Sequence, residues 1–268
     1  MGKLRPDQQP LSGVSVLITR PLPQQTGLSE KITAAGGVPV AFPLLNIQPF
    51  FGSQAGAKAR DQIQALDQYD FLIFVSHNAA NLAGQLINKY WSQLPSDLQL
   101  IAIGRTTANT LNLVLNIQAI CPSMGADSES VLALSALQDV VGKRIGIVRG
   151  QGGRELLATI LTERGAAVDY IEVYSRQRVA HDQAEITKLE HCCDMITVHN
   201  GESLKILTEI CAKNMSQISL LPLVVPSQRI LIQARQQGFS VVNDAGGADD
   251  QSMLDALKQL ALRDENEK

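Results

Sequence analysis

The feature that most limits how this chain can fold is that it repeats itself. Gly13, a six-residue strand pattern and Arg20 are matched by Gly142, a second such pattern and Arg149, and the same offset carries Gly36 onto Gly165. A second offset carries His77-Asn78 onto His199-Asn200 and Gly125-Ala126-Asp127 onto Gly247-Ala248-Asp249. Similar amphipathic stretches, SESVLALSAL and DQSMLDALKQL, follow the last pair of blocks. Repetition on this scale means one supersecondary plan used twice.

The plan is strand then helix. Short apolar runs bounded by turn or cap residues predict strands at residues 14–19, 71–75, 100–103, 144–148, 195–198 and 223–225. Helical segments follow at 22–35, 78–90, 106–116, 152–164, 201–212 and 227–237. Several stop at Gly36, Asn116, Gly165 or Gly238, residues that tolerate the left-handed turn ending a helix. Such alternation predicts parallel sheets with helices on their faces. The expected fold class is α/β: two similar parallel-sheet, flavodoxin-like domains, for which 268 residues suffice.

Composition narrows the partners. Hydrophobic residues at 45% can fill a core in each domain, while 4% aromatic residues offer little for stacking bases. A net charge of −3 provides no basic field for a polyanion, so no nucleic-acid partner is expected. The polar opening MGKLRPDQQPLSG lacks the apolar centre of a signal peptide, and no run approaches the ~20 apolar residues of a membrane span. Four cysteines without a CxxC pair point to a reducing cytoplasm. His191-Cys192-Cys193 reads as packing at a helix end, because adjacent residues converge poorly on one ion; no metal is expected.

In parallel sheets, ligands gather beyond the C-terminal strand ends, where helix N-termini present free N–H groups and partial positive charge. The residues expected there are Arg20, Ser76, Asn78, Gly104, Arg105, Thr106, Thr107, Arg149, Gly150, Arg154, His199, Asn200, Ser227 and Gln228. They are small, hydroxylated, amide-bearing or cationic, as a carboxylate-binding surface requires. Taken singly, each serine, threonine or asparagine also reads as a helix cap. Arg20, Arg105, Arg149, Arg154, Arg176 and Arg229 are the available guanidiniums, with some expected to face only solvent. Arg20 and Arg149 stand out because each follows a strand and the repeat pairs them. Together the set predicts one binding cleft shared by two facing domains.

In their order and spacing, LITRP (17–21), FVSHNAA (74–80), AIGRTTA (102–108), GADSE (125–129) and VRGQGGRE (148–155) resemble the uroporphyrinogen-III synthase family. The likeness continues through VY-SR (173–176), PSQRI (226–230) and GADDQSML (247–254). It implies that the domains exchange their first strand–helix units. Residues 1–45 and 179–268 would then form one domain and 50–173 the other, with two extended linkers near 44–51 and 172–180. Pro43 and Pro49 suit an extended connection.

The resemblance also implies a reaction: hydroxymethylbilane, a linear tetrapyrrole with eight carboxylates, closes to uroporphyrinogen III with loss of water and inversion of the terminal pyrrole. Left alone, it closes to the symmetrical type I isomer. Tyr174, in the VY motif, is implied as the general acid, since a tyrosine hydroxyl ordinarily holds its proton at neutral pH. The alternative for Tyr174 is a linker residue with a solvated hydroxyl. Thr107 matches a cleft threonine of the family and reads equally well as a cap.

The implied enzyme is a cytoplasmic monomer without cofactors, with at most a transient contact with the preceding pathway enzyme. His199-Asn200 stands where Thr-Ser is common, Val75 for a threonine and Gln151 for a glutamate. His77 and His199 read as structural histidines beside capping asparagines. The competing readings are a non-enzymatic two-domain anion-binding protein and a two-domain glycosyltransferase, for which this chain is short and lacks a nucleotide motif.

Overall fold

The computed structural model describes residues 9–54, 56–153 and 155–266. The elements open with β1 (Ser15–Ile18), α1 (Thr26–Ala34), β2 (Val38–Ala41), β3 (Leu45–Pro49) and α2 (Ala57–Gln64). Next come β4 (Phe71–Phe74), α3 (His77–Tyr90), β5 (Gln99–Ala102), α4 (Arg105–Leu115) and α5 (Ser128–Leu132). They continue with β6 (Arg144–Gly150), α6 (Leu156–Glu163), β7 (Ala167–Arg178), α7 (Gln183–Cys192) and β8 (Met195–Thr197). The last are α8 (Gly201–Ile210), α9 (Met215–Ile218), β9 (Leu223–Val225), α10 (Gln228–Gln236), β10 (Val242–Asp244) and α11 (Asp250–Asn266).

The chain divides into two compact units: residues 1–46 with 177–268, and Ile47–Arg176. One five-stranded sheet has the order β10-β9-β8-β1-β2, every neighbour parallel. The other runs β3-β7-β6-β4-β5, with β7, β6, β4 and β5 parallel. Residues 45–49 and 172–178, most of the two expected linkers, therefore lie in hydrogen-bonded neighbouring strands, β3 and β7.

Strand period two sends side chains to both faces, and both faces are covered. In the first unit Leu17 joins Leu204, Leu207 and Ile230 of α8 and α10. Its neighbours Val16 and Ile18 pack on the other side with Leu28, Ile32 and Leu257 of α1 and α11. In the second unit Leu72 and Phe74 meet Ala83, Ile87 and Leu111 of α3 and α4, while Phe71 and Ile73 meet Val131, Leu157 and Leu161. Full burial of an aliphatic side chain is worth ~1.5–3 kcal/mol, so these layers fix the sheets and thereby the strand ends.

The register shows what the repeat aligns. Val16 pairs with Met195, and its repeat partner Ile145 pairs with Phe71. Met195 is thus the counterpart of Phe71, and counting along the strands makes His199 the counterpart of Val75 and Asn200 that of Ser76. Helix caps agree, since Ser76 caps α3 and Asn200 caps α8. The His-Asn match read from the sequence is displaced by two residues from this alignment. The Gly-Ala-Asp match holds: Asp127 accepts from Ser130 N–H and Asp249 from Ser252 N–H, each opening a helix.

Candidate active site

Beyond the C-terminal ends of β4 and β6 lies a cavity of about 180 Å³ within the second unit. Ser76, Arg149, Gly150, Tyr170, Tyr174 and Arg176 line it. It is smaller than the ~300–1,000 Å³ that encloses a drug-sized ligand, so it suits one end of a longer molecule.

Tyr174 is not a solvated linker residue. It lies on β7, is only 2% exposed, and its hydroxyl sits 3.1 Å from Ser76 Oγ. Ser76 Oγ meanwhile accepts the Ala79 N–H of α3 at 3.1 Å. The serine proton can then be donated to Tyr174 Oη, which leaves the tyrosine proton for whatever occupies the cavity. Gly150 is needed here: a Cβ on it would lie 2.5 Å from Tyr174 Cε2.

Arg149 is buried, donates from Nε to the Gly150 carbonyl at 3.1 Å, and stands 4.6 Å from the Tyr170 ring centre. Cation–π attraction of this kind strengthens where water is excluded. Gly152 and Gly153 take φ of +72° and +104°, so the helix expected from residue 152 starts only at Leu156. The loop passes so close that a Cβ on Gly153 would meet Arg149 Nη2 at 2.6 Å. Glu172 accepts the Gly152 N–H at 3.3 Å.

Gly104, not Thr107, caps α4, and a Cβ on Gly104 would come 2.8 Å from that of Ala126. Thr107 is two positions inside α4 from its first residue and 4% exposed, so its capping reading does not hold. Arg105 and Thr106 are exposed, and Asn78 is half-buried in the first turn of α3. Arg154 lies outside the described residues.

In the first unit the strand ends carry the counterparts. Arg20 donates to the Asp250 carboxylate and the Ala248 carbonyl, tying β1 to the start of α11. Burial pulls its guanidinium below the usual arginine value, against the support of Asp250. Asn200 accepts the Ser203 N–H at 2.8 Å. Ser227 is the N-cap residue of α10 but makes no side-chain capping bond, while Gln228 and Arg229 are exposed. His199 is half-buried as a residue, with both ring nitrogens shut away from solvent.

Sequence reasoning missed Tyr170 and Glu172. Their signal is the period-two run Tyr170, Glu172, Tyr174, Arg176, legible once 167–178 is taken as a strand.

The family model described as "Uroporphyrinogen-III synthase HemD" matches residues 27–255. The uroporphyrinogen-III synthase of Escherichia coli is 35% identical over 252 residues, covering 91% of this chain and all of its own length. That of Salmonella typhimurium is 34% identical over 249 residues, with the same coverage. This chain belongs to the uroporphyrinogen-III synthase family.

The fold of a uroporphyrinogen III synthase agrees: a mutant of the Thermus thermophilus protein superposes with a TM-score of 0.65 at 18% identity. The match covers 94% of this chain and 100% of that one. Membership makes the α/β architecture with two five-stranded sheets that of a uroporphyrinogen-III synthase. No helix among the described residues is long and apolar enough to cross a membrane.

Proposed function

We propose that the Tyr174–Ser76 cavity is where this chain performs its family's reaction, conversion of hydroxymethylbilane to uroporphyrinogen III with release of water. The observation that carries this reading is the Tyr174 hydroxyl, buried in the cavity and 3.1 Å from the capping Ser76. In the first step Tyr174 gives its proton to the departing hydroxyl. The C–O bond breaks, water leaves, and an azafulvene remains at that end of the chain. Attack then comes from the substituted carbon of the terminal pyrrole, giving a spiro intermediate. Fragmentation and reclosure invert that ring, and the proton lost on rearomatisation restores the tyrosine. A positioned acid contributes roughly 10²–10⁴-fold, and holding the chain in one conformer adds several kcal/mol more.

The carboxylates are met by Arg149, Gly150 and the N-termini of α3 and α4, with Asn78, Gly104, Arg105 and Thr106 around them; Arg154 is assigned to the same ligand from the sequence alone. Thr107, buried near the start of α4, is assigned to the reacting end together with Tyr174. At the strand ends of the first unit His199, Asn200, Ser227 and Gln228 are assigned the same purpose, while Arg20 is held by Asp250 and Ala248. In this reading the chain works as a cytoplasmic monomer without a cofactor, meeting the enzyme that supplies hydroxymethylbilane only transiently.

The test is Tyr174→Phe, with folding followed by circular dichroism. Type III formation falling ~10²-fold or more, while the uncatalysed type I product accumulates, supports the assignment. Full activity would remove Tyr174 from the step.

A further inference from the structure

The two units treat their matching arginines differently. Arg20 follows β1, and Arg149 lies in β6, the counterpart strand. The helices beside these strands correspond as well. Leu28 and Ile32 of α1 share a core with Met253 and Leu254 of α11. At the matching positions of the repeat, Leu157 and Leu161 of α6 share one with Val131 and Leu132 of α5. Both α11 and α5 open directly after the aspartate of a Gly-Ala-Asp block. Asp250 and Ser128, the first residues of those helices, are therefore counterparts.

In the first unit this position carries a carboxylate, and that carboxylate holds Arg20. In the second it carries a neutral hydroxyl. Ser128 is 7% exposed and lines the same cavity as Arg149. Its side chain makes no hydrogen bond among the described residues. A buried hydroxyl is costly to leave unpaired, and Val75, Ile103, Ile147 and Leu157 give this cavity hydrocarbon walls that cannot pair it. The first unit thus contains a stand-in for a ligand: the Asp250 side chain shows what group sits beside a strand-end arginine of this plan.

We propose that Ser128 is a specificity-determining residue. As the neutral counterpart of Asp250, it lets a substrate carboxylate take beside Arg149 the place that the Asp250 carboxylate takes beside Arg20, and it donates its hydroxyl to that carboxylate. The proposal rests on the reading of hydroxymethylbilane as substrate and deepens it. A serine side chain is two heavy atoms shorter than an aspartate and brings no charge to repel an anion. The Gly150 carbonyl and the Tyr170 ring meanwhile keep the Arg149 guanidinium at the cavity. Guanidinium N–H groups and one serine O–H are all donors, as a carboxylate requires. One side-chain position therefore decides which arginine of the duplicated plan serves structure and which serves substrate.

The experiment compares wild type, Ser128→Ala, Ser128→Asn and Ser128→Asp with hydroxymethylbilane, measuring kcat, KM, isomer ratio and thermal midpoint. Ser128→Ala should raise KM by ~10-fold with kcat changed no more than about twofold, the pattern of one lost hydrogen bond to a charged group. Ser128→Asp should raise KM by ~100-fold or more while its midpoint stays level or rises, because the new carboxylate has Arg149 to pair with. Ser128→Asn matches aspartate in size without the charge, and its KM should stay close to that of Ser128→Ala. An unchanged KM in Ser128→Ala overturns the proposal, whether or not Ser128→Asp folds. So does Ser128→Asn raising KM as far as Ser128→Asp, since bulk and not charge would then be at work. Wild type yielding only type I product would instead overturn the reading beneath it.

Discussion

Tyr174 Oη and Ser76 Oγ lie 3.1 Å apart, joining the catalytic candidate on β7 to the cap of α3. One serine thus ends an orphaned helix N–H and orients a buried phenol. Ser76→Ala should lose the cap, worth ~1 kcal/mol, and lower the thermal midpoint by a few degrees. It should also slow type III formation, while Ser76→Thr should keep most of both. Calorimetry and the rate assay on the same preparations check this. An alanine variant with lowered stability and unaltered rate would confine Ser76 to capping.

Gly150→Ala tests the packing under the phenol. The new Cβ would sit 2.5 Å from Tyr174 Cε2, so ring or strand must shift. Overpacking of this kind costs ~1–3 kcal/mol. Activity should fall by more than the stability loss accounts for, because a small displacement of the acid misplaces its proton. Rate and denaturant midpoint, measured together, separate the two effects.

Arg149→Lys examines whether a planar guanidinium is required. Arg149 stacks 4.6 Å from the Tyr170 ring centre and reaches the Gly150 carbonyl, and an ammonium reproduces neither geometry. KM should rise ~10-fold while the variant stays folded. A lysine variant with native KM would show that charge alone suffices at this position.

His199 sets a pH dependence of stability. Its folded imidazole titrates well below the ordinary value of 6.5. Between those values the unfolded chain holds a proton that the folded chain refuses, so stability is full above ~6.5 and declines as pH falls below it. Denaturant titrations from pH 7 to pH 5 should show this decline in wild type and a shallower one in His199→Phe. Parallel curves would contradict the assignment.

Much of the sheet was readable from the sequence because its central strands are continuous apolar runs. Residues 71–75 and 223–225 announced β4 and β9 closely. Edge strands were less legible: β2 and β10 are only partly buried, and their mixed residues carry no clear period. The start of α6 was misjudged because Gly152 and Gly153 sit in an otherwise helical pattern, and only their positive φ reveals a loop. At the site, residue types pointed to the strand ends, but pairing across the sheet decides who meets whom. The repeat suggested His77 as the partner of His199, whereas strand register gives Val75. Likewise Arg20 looked available for substrate, yet its guanidinium is already engaged by Asp250 and Ala248, a contact between distant segments that no local pattern encodes.

The central claim is that this chain imposes the inverted ring order on a linear tetrapyrrole without help from a cofactor. It is tested most directly by supplying freshly made hydroxymethylbilane to the purified wild-type protein alone, oxidising the products and separating the isomers. Predominantly type III porphyrin is the predicted result. Type I porphyrin formed only at the uncatalysed rate, from protein shown to be folded, would contradict it.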